Sequence, residues 1–415
     1  MSNKIEIMAP AGNFECLMAA IQGGSDSIYF GVEKLNMRSH SANNFTIEDL
    51  PEICNICKEH NVKTYLTLNI VLYNEDIDTA KTTLKKAKAA GISAVIASDM
   101  AVISYARNIN LEVHISTQLN ISNIEALKFY SQFADVIVLA RELNLFQVRQ
   151  ISETIQKEQI KGPSGNLVQI EMFCHGALCM AISGKCYLSL HEYGHSANRG
   201  SCLQICRRGY EVTDLETGRK LNIDNKYIMS PKDLCTIEFT DKMIRAGVSI
   251  LKIEGRARAA EYVKKVTSSY RKAVDAVKDG TYNQELASSL KDKLSQVFNR
   301  GFWDGYYQGA RLGEWSEIYG NTATRKKTYL GKITNYFNKA RVAEIYIETG
   351  TLSIGDELII IGPSTGVIES NILEIRVDLK PVIKSKKGEY CSIPLTEKVR
   401  RSDKVYIWKI IHNPI

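Results

Sequence analysis

Short apolar runs alternate with longer segments of helical period through the first 260 residues. The runs are EIMAP from Glu6, SIYFG from Ser27, KTYLTLN from Lys63, AVIAS from Ala94, EVHIST from Glu112, DVIVLA from Asp135, QIEMF from Gln169 and SILKIEG from Ser249. Most lead into a segment with helical patterning, such as 13–23, 78–91 and 125–133. Buried apolar strands separated by helices predict a parallel sheet. Eight such units predict an α/β fold of the (βα)8, TIM-barrel type, with a doubly wound open sheet as the alternative.

The pattern changes after residue 260. Two helical segments, 259–277 and 283–297, precede a stretch rich in glycine and aromatics, RGFWDGYYQGARLGEW. From Thr328 the apolar runs shorten and turn signals separate them, as at Ser364-Thr365-Gly366 and Lys387-Gly388. Short strands at this spacing predict a small all-β barrel. The predicted organisation is a barrel over 1–260, a connecting segment over 261–325 and a β-barrel over 326–415. Phe302, Trp303, Tyr306 and Tyr307 are predicted to pack an interface between these parts, with base stacking the alternative.

Charge sharpens this division. The chain of 415 residues has a net charge of +7. Residues 325–415 hold 16 Lys and Arg against 10 Asp and Glu, so +6 of that excess lies there and +1 in the rest. Lys384, Lys386 and Lys387 form a dense basic run within it. A basic module on a nearly neutral body predicts a polyanionic partner, RNA before DNA or a membrane. No apolar run reaches the length of a signal peptide or a membrane span. The expected compartment is the cytoplasm, where thiols stay reduced.

Polar residues stand at or beyond the ends of the predicted strands: Asn69, Asp99, Gln118, Arg141, Glu142, His175, Glu254 and Arg256. In barrels of this type that rim carries the chemistry. The connection after QIEMF is long, 174–242, and holds Cys174, Cys179, Cys186, Cys202, Cys206 and Cys235. Six residues separate Cys179 from Cys186, fifteen Cys186 from Cys202, and three Cys202 from Cys206. None of these spacings is the Cys-x2-Cys of zinc ribbons or ferredoxins, so spacing leaves zinc and a [4Fe–4S] cluster both open. His191-Glu192-Tyr193-Gly194-His195 matches the HExxH of zinc proteases, which needs both histidines on one helix. Gly194 and the following Ser-Ala-Asn-Arg-Gly argue against that helix. Cys54 and Cys57 fall within a helical pattern and are expected to pack, as are Cys16, Cys174 and Cys391.

E-x-F-x-H-G-A-L-C-x3-S-G-x-C-x-L-S, from Glu171 to Ser189, resembles the signature of the U32 "peptidase" (collagenase-like) family. APAGN, TLN at Thr67, ANRGSC at Ala197, MSPKDLC at Met229 and KIEGR at Lys252 fit the same family. GTLSIGDELIIIGP in the last part resembles the second domain of translation elongation factors. The family resemblance implies oxygen-independent hydroxylation with an iron–sulfur cluster and, in the RNA branch, prephenate as hydroxyl source. A C-terminal barrel of this size most resembles the tRNA wobble-uridine branch, which makes 5-hydroxyuridine. The implied [4Fe–4S] ligands are Cys179, Cys186, Cys202 and Cys235, with Cys206 able to replace one. His175 and Glu171 are candidates for proton transfer beside the cluster, with Glu254 a third catalytic candidate. Arg199 and Arg256 are candidates for gripping a dicarboxylate such as prephenate. The partners expected are tRNA and an electron donor or accessory protein. A peptidase and an RNA-binding protein with structural zinc are the rival readings, as is hydroxylation of ribosomal RNA by the same chemistry.

Overall fold

The computed structural model describes residues 4–39, 44–211, 213–219, 229–310, 313–317 and 320–411. The eight apolar runs all become strands: β1 (Glu6–Pro10), β2 (Ser27–Phe30), β3 (Lys63–Leu68), β4 (Ala94–Ala97), β5 (Glu112–Ile115), β6 (Val136–Val138), β7 (Gln169–Gly176) and, after an insertion, β9 (Val248–Ile253). They pair in parallel in that order. β9 joins both β7 and β1, so the ring closes as a (βα)8-type barrel. Two further strands extend the sheet beyond β7. β8 (Asp233–Cys235) runs antiparallel to β7, and β10 (Phe302–Trp303) lies parallel to β8.

Helices α1 (Phe14–Gln22), α2 (Leu50–Glu59), α3 (Ile77–Ala90), α4 (Met100–Asn108), α5 (Ile124–Ser131) and α6 (Leu145–Glu158) follow successive strands. Their starts are written locally. Side chains of Asn13, Asp99, Asn123 and Asn144 accept hydrogen bonds from the first-turn N–H groups of α1, α4, α5 and α6. Cys57 is buried and Cys54 half-buried on the inner side of α2, where burial pushes both thiols up, as packing residues would be. The HEYGH segment departs from expectation. A short helix, α7 (Leu188–Tyr193), does form, but Gly194 ends it at φ +67°. His195 therefore lies past the helix, and both histidines are exposed.

α8 (Thr240–Arg245) precedes β9. α9 (Ala260–Lys278) and α10 (Gln284–Ser295) then close the first part. The aromatics after α10 are packing residues. Trp303 and Tyr307 are buried, and the Tyr307 hydroxyl donates to the Phe173 carbonyl at 2.9 Å.

The C-terminal strands are β11 (Arg325–Phe337), β12 (Val342–Ile347), β13 (Thr351–Ser353), β14 (Glu357–Gly362), β15 (Gly366–Asn371), β16 (Ile375–Val377), β17 (Lys380–Val382), β18 (Lys384–Lys386), β19 (Tyr390–Pro394) and β20 (Lys404–Ile410). Eight pair antiparallel in the order β15-β14-β20-β11-β12-β19-β16-β17, while β13 pairs with β18 alone. The expected ring is thus split into two hydrogen-bonded sheets around one core, to which β13 contributes Leu352.

This module docks on α1 and α9. Ile359, Ile361, Val367 and Trp408 belong to the core of the large barrel. The Gln22 amide donates to the Thr365 carbonyl at 2.8 Å and accepts from the Val367 N–H at 2.9 Å. Gly366 between them takes φ +68°, and a Cβ there would lie 2.4 Å from Gln22 Oε1. Lys264 reaches the Val367 carbonyl at 2.7 Å. No helix among the described residues is long and apolar enough to cross a membrane. Replacing Gln22 by Ala would leave the buried Val367 N–H without its partner, at a cost of about 1–3 kcal/mol. Denaturant unfolding of Gln22→Ala should show a loss of that size.

Candidate functional site

A cavity of about 190 Å³ opens where the ring strands end. Tyr29, Thr67, Ile96, Phe173 and Lys252 reach it from the strands themselves, and Asn69, Ser116, Thr117, Arg141 and Glu254 from just past them. The long insertion after β7 supplies the opposite wall. Cys179, Cys186, Cys202 and Cys206 all line it. Hydrogen bonds seat this insertion on the rim. Asn120 donates to the Ser183 carbonyl at 3.0 Å, and the Val71 N–H to the Asn198 carbonyl at 3.0 Å. Arg207 donates to the Leu178 and Pro231 carbonyls, both at 2.6 Å, tying the Cys206 segment to the one that bears Cys179.

The grouping of thiols differs from the expected set. Cys206 stands with Cys179, Cys186 and Cys202, close enough for each charge to act on it. Cys235 does not line the cavity. It is buried on β8, opposite His175 in the ladder and near Cys174, where burial pushes its thiol to about 12. The reason is the antiparallel return of β8 along β7, which turns Cys235 into the packing between sheet and α9. Burial raises the thiols of Cys186 and, to about 11, Cys206. Among the described residues, no three Cys, His, Asp or Glu side chains stand as a ready ligand set for a single ion. Cys179, Cys186, Cys202 and Cys206 bring four sulfur donors to one cavity, the number of thiolates a [4Fe–4S] cluster takes.

The barrel side of the cavity is strongly cationic. Arg38, Arg141, Arg256, Arg258 and Lys252 line it, with Arg207 and Arg300 at the insertion side. Glu254 is the one carboxylate among its described lining residues. Arg38 pairs with Glu254 at 2.8 Å, and the Tyr29 hydroxyl lies 3.3 Å from the same carboxylate. Burial alone would raise the Glu254 pKa, but Arg38, Arg256 and Arg141 hold it at about 2. Arg256 donates to Asn36 Oδ1 at 2.9 Å and Thr67 Oγ1 at 2.8 Å rather than to Glu254, and burial lowers it to about 10.

Three other sequence candidates lie off the cavity. Arg199 is outside its lining. It pairs with Asp76 at 2.7 Å and lies 3.8 Å over the Tyr73 ring, anchoring the insertion instead of gripping an anion. His175 is buried among Tyr262, Tyr270 and Phe302 behind β7, and burial beside Arg258 depresses it to about 3. That imidazole is neutral and packed. Glu171 is fully buried inside the ring, against Lys252 and His114. Sequence reasoning missed Arg38 and Arg258. Arg38 lies in a connection with no strand-end signal, while Arg258 stands two residues beyond Arg256 and was there to be read.

The comparisons with known proteins bear on this arrangement. The sequence profile of peptidase family U32 matches residues 12–317. The chain belongs to peptidase family U32. It is 59% identical over 404 residues to a Porphyromonas gingivalis protein named collagenase, covering 97% of this chain and 98% of that one. It is 34% identical over 372 residues to tRNA hydroxylation protein P1 of Bacillus subtilis, covering 88% of this chain and 85% of the relative. It is also 34% identical over 320 residues to the 23S rRNA 5-hydroxycytidine C2501 synthase of Escherichia coli, covering 75% of this chain and 46% of that longer protein. The U32 match ends before the C-terminal module begins, so the family region holds the whole cavity.

Glu254 generates a prediction about stability and pH. Its folded pKa of about 2 lies below the ordinary 4.5. Its contribution is therefore complete above the unfolded value and is lost as pH falls through about 2. Glu254→Gln should lower stability at neutral pH by about 3 kcal/mol and flatten the acid limb of a denaturation series between pH 5 and 2. An unchanged acid limb would remove Glu254 from the charge balance.

Proposed function

We propose that this U32 protein hydroxylates RNA, with the wobble uridine of tRNA as substrate and 5-hydroxyuridine as product. The observation that carries the reading is the cavity itself, with four thiols on one wall and an arginine-rich rim on the other. The names of the B. subtilis and E. coli relatives support the same class of reaction on RNA. The thiols of Cys179, Cys186, Cys202 and Cys206 would hold a [4Fe–4S] cluster. When bound, such a cluster supplies the electron transfer that side chains lack. Arg256, Arg38 and Arg141 would receive prephenate, because guanidinium forks match carboxylates two bonds at a time. Glu254 sits among them as the one fixed negative charge, so an incoming dicarboxylate must approach from the cation-rich remainder of the cavity. An electron-donor or accessory protein would complete the cycle.

The C-terminal module would hold the RNA. Lys384, Lys386 and Lys387 are exposed on and beside β18. A groove of about 610 Å³ on the same module is lined by Lys398, Arg400, Arg401 and Tyr390. Cations of this kind bind phosphates with little regard to sequence. Peptide hydrolysis is the second reading, favoured by the name of the P. gingivalis relative. The exposed His191 and His195, split by the end of α7, give it no metal-binding helix face.

Nucleoside analysis of tRNA from a deletion strain tests the reaction. 5-Hydroxyuridine and its derivatives should disappear and return with the wild-type gene. Unaltered tRNA, with collagen cleavage by the pure protein that is lost on replacing both histidines by Ala, would establish the second reading. Anaerobically purified protein should carry about four irons per chain, and Cys206→Ser should lose them while Cys235→Ser keeps them. Loss in Cys235→Ser alone would return the fourth position to Cys235. Changing Lys384, Lys386 and Lys387 together to Glu should weaken tRNA binding and reduce its log–log salt slope by roughly one unit per lost phosphate contact, with the product unchanged.

A further inference from the structure

A chain of ionisable side chains crosses the interior of the barrel and ends in the cavity. Lys252, the first residue of KIEGR, lines the cavity from β9 with its side chain 5% exposed. Its Nζ lies 2.6 Å from Glu171 Oε1 on β7. The other oxygen, Glu171 Oε2, lies 3.4 Å from Nδ1 of His114 on β5. Nε2 of the same ring lies 3.4 Å from Glu112 Oε1. Glu171 is 0% and His114 1% exposed, whereas Glu112 is 46% exposed at the N-terminal end of β5. The column therefore begins in solvent at one face of the barrel and finishes at the cavity on the other.

Two features distinguish it from a buried ion pair that only packs. A pair is complete with Lys252 and Glu171, yet the line continues through an imidazole that bridges a buried carboxylate and an exposed one. Both His114 nitrogens and Glu171 Oε2 are buried without an aligned hydrogen bond. They stand in contact but out of line, a costly state for a purely structural site. The groups facing His114 are Glu112 on its own strand, Glu171 on β7 and the neutral Tyr65 ring of β3 at 4.4 Å. Lys63 and Arg107 act on Glu112, and Glu6 and Lys63 close the same end. Burial would lower the His114 pKa, but its two carboxylates raise it above the ordinary value. They also help hold an imidazole ready to carry a proton on either nitrogen.

We propose that Lys252, Glu171, His114 and Glu112 form a proton relay that connects the cavity to solvent through the barrel, with Lys252 the group that exchanges the proton in the cavity. The proposal rests on reading that cavity as the reaction site. Replacing a ring C–H by C–OH displaces a proton, which needs an acceptor in the cavity. Lys252 passes its proton to Glu171 across their contact and accepts the displaced one. Glu171 passes its proton to His114 Nδ1, and His114 releases one from Nε2 to Glu112 and water. One proton enters at Lys252, one leaves at Glu112, and only N–H and O–H bonds change. Run backwards, the same chain delivers a proton. Lys252 is the catalytic residue of this set, and Glu171, His114 and Glu112 act through it.

Two measurements on the full-length protein test the relay. The first needs no turnover: exchange of the His114 imidazole N–H with solvent, followed by NMR on 15N-histidine protein. Glu112→Gln should slow it roughly tenfold or more, and Glu112→Asp should restore it. Equal exchange in wild type and Glu112→Gln overturns the relay even if the protein hydroxylates RNA. The second is kcat for RNA hydroxylation. Glu112→Gln and His114→Gln, both remote from substrate, should lower kcat roughly tenfold or more with KM unchanged, and raise the solvent deuterium isotope effect. The double variant Lys252→Met with Glu171→Met removes the pair without stranding a buried charge. It should keep its unfolding midpoint and lose activity. Full activity in that variant overturns the proposal. Absence of RNA hydroxylation in the wild-type protein would instead refute the reading of function, and the exchange measurement would still decide the relay.

Discussion

Charge buried inside a closed ring of strands must be matched there, since water cannot reach it and the backbone has no hydrogen bonds to spare. This constraint organises the protein. Glu171 pairs with Lys252 in the interior, and His114 stands in contact with the same carboxylate. Higher up, Glu254 is matched by Arg38, and Arg256 by Asn36 and Thr67. Around them the wall is apolar, with Met8, Tyr29, Tyr65, Ala94, Ile96, Val136 and Ile250 forming their own cluster. Breaking any one of these matches would leave an uncompensated charge in a medium that penalises it by several kcal/mol. The same matching leaves the cavity with more positive than negative groups, and that surplus is what an anionic reactant would meet.

The insertion after β7 meets a second requirement. Thiols on a free loop would be dispersed by chain entropy. Here the loop is tied down at several points: Arg207 to two carbonyls, Arg199 to Asp76 and to the Val71 carbonyl, and Asn120 to Ser183. The side chains that anchor the loop are thus different from those that face the cavity. Arg199 illustrates the division, since its sequence context suggested a ligand-binding role and its contacts give it an anchoring one.

The C-terminal module is fastened rather than tethered. Four of its apolar residues enter the core of the large barrel, and Gln22 reads the β-turn at Thr365 to Val367 through both ends of its amide. A module held this way keeps its lysines at a fixed position relative to the rim. For the RNA substrate proposed above, phosphate contacts far from the reacting base would orient it.

The fold was legible from the chain because each strand is a short apolar run with a written start or stop beside it. Asn13, Asp99, Asn123 and Asn144 mark helix starts in sequence as they do in space. The charge of the C-terminal part and the concentration of thiols after QIEMF were equally local facts. Which thiols meet was not. Cys202 and Cys206 are near neighbours in sequence, but their grouping with Cys179 and Cys186 depends on how 174–242 crosses the rim, and the departure of Cys235 depends on β8 turning back along β7. The column from Glu112 to Lys252 was hidden for the same reason. Its four members come from β5, β7 and β9, and the first and last stand 140 positions apart. Sequence fixes local hydrogen bonds and the face each side chain takes on its own strand, whereas closing the ring decides which faces meet. That closure alone brings the four side chains into one line.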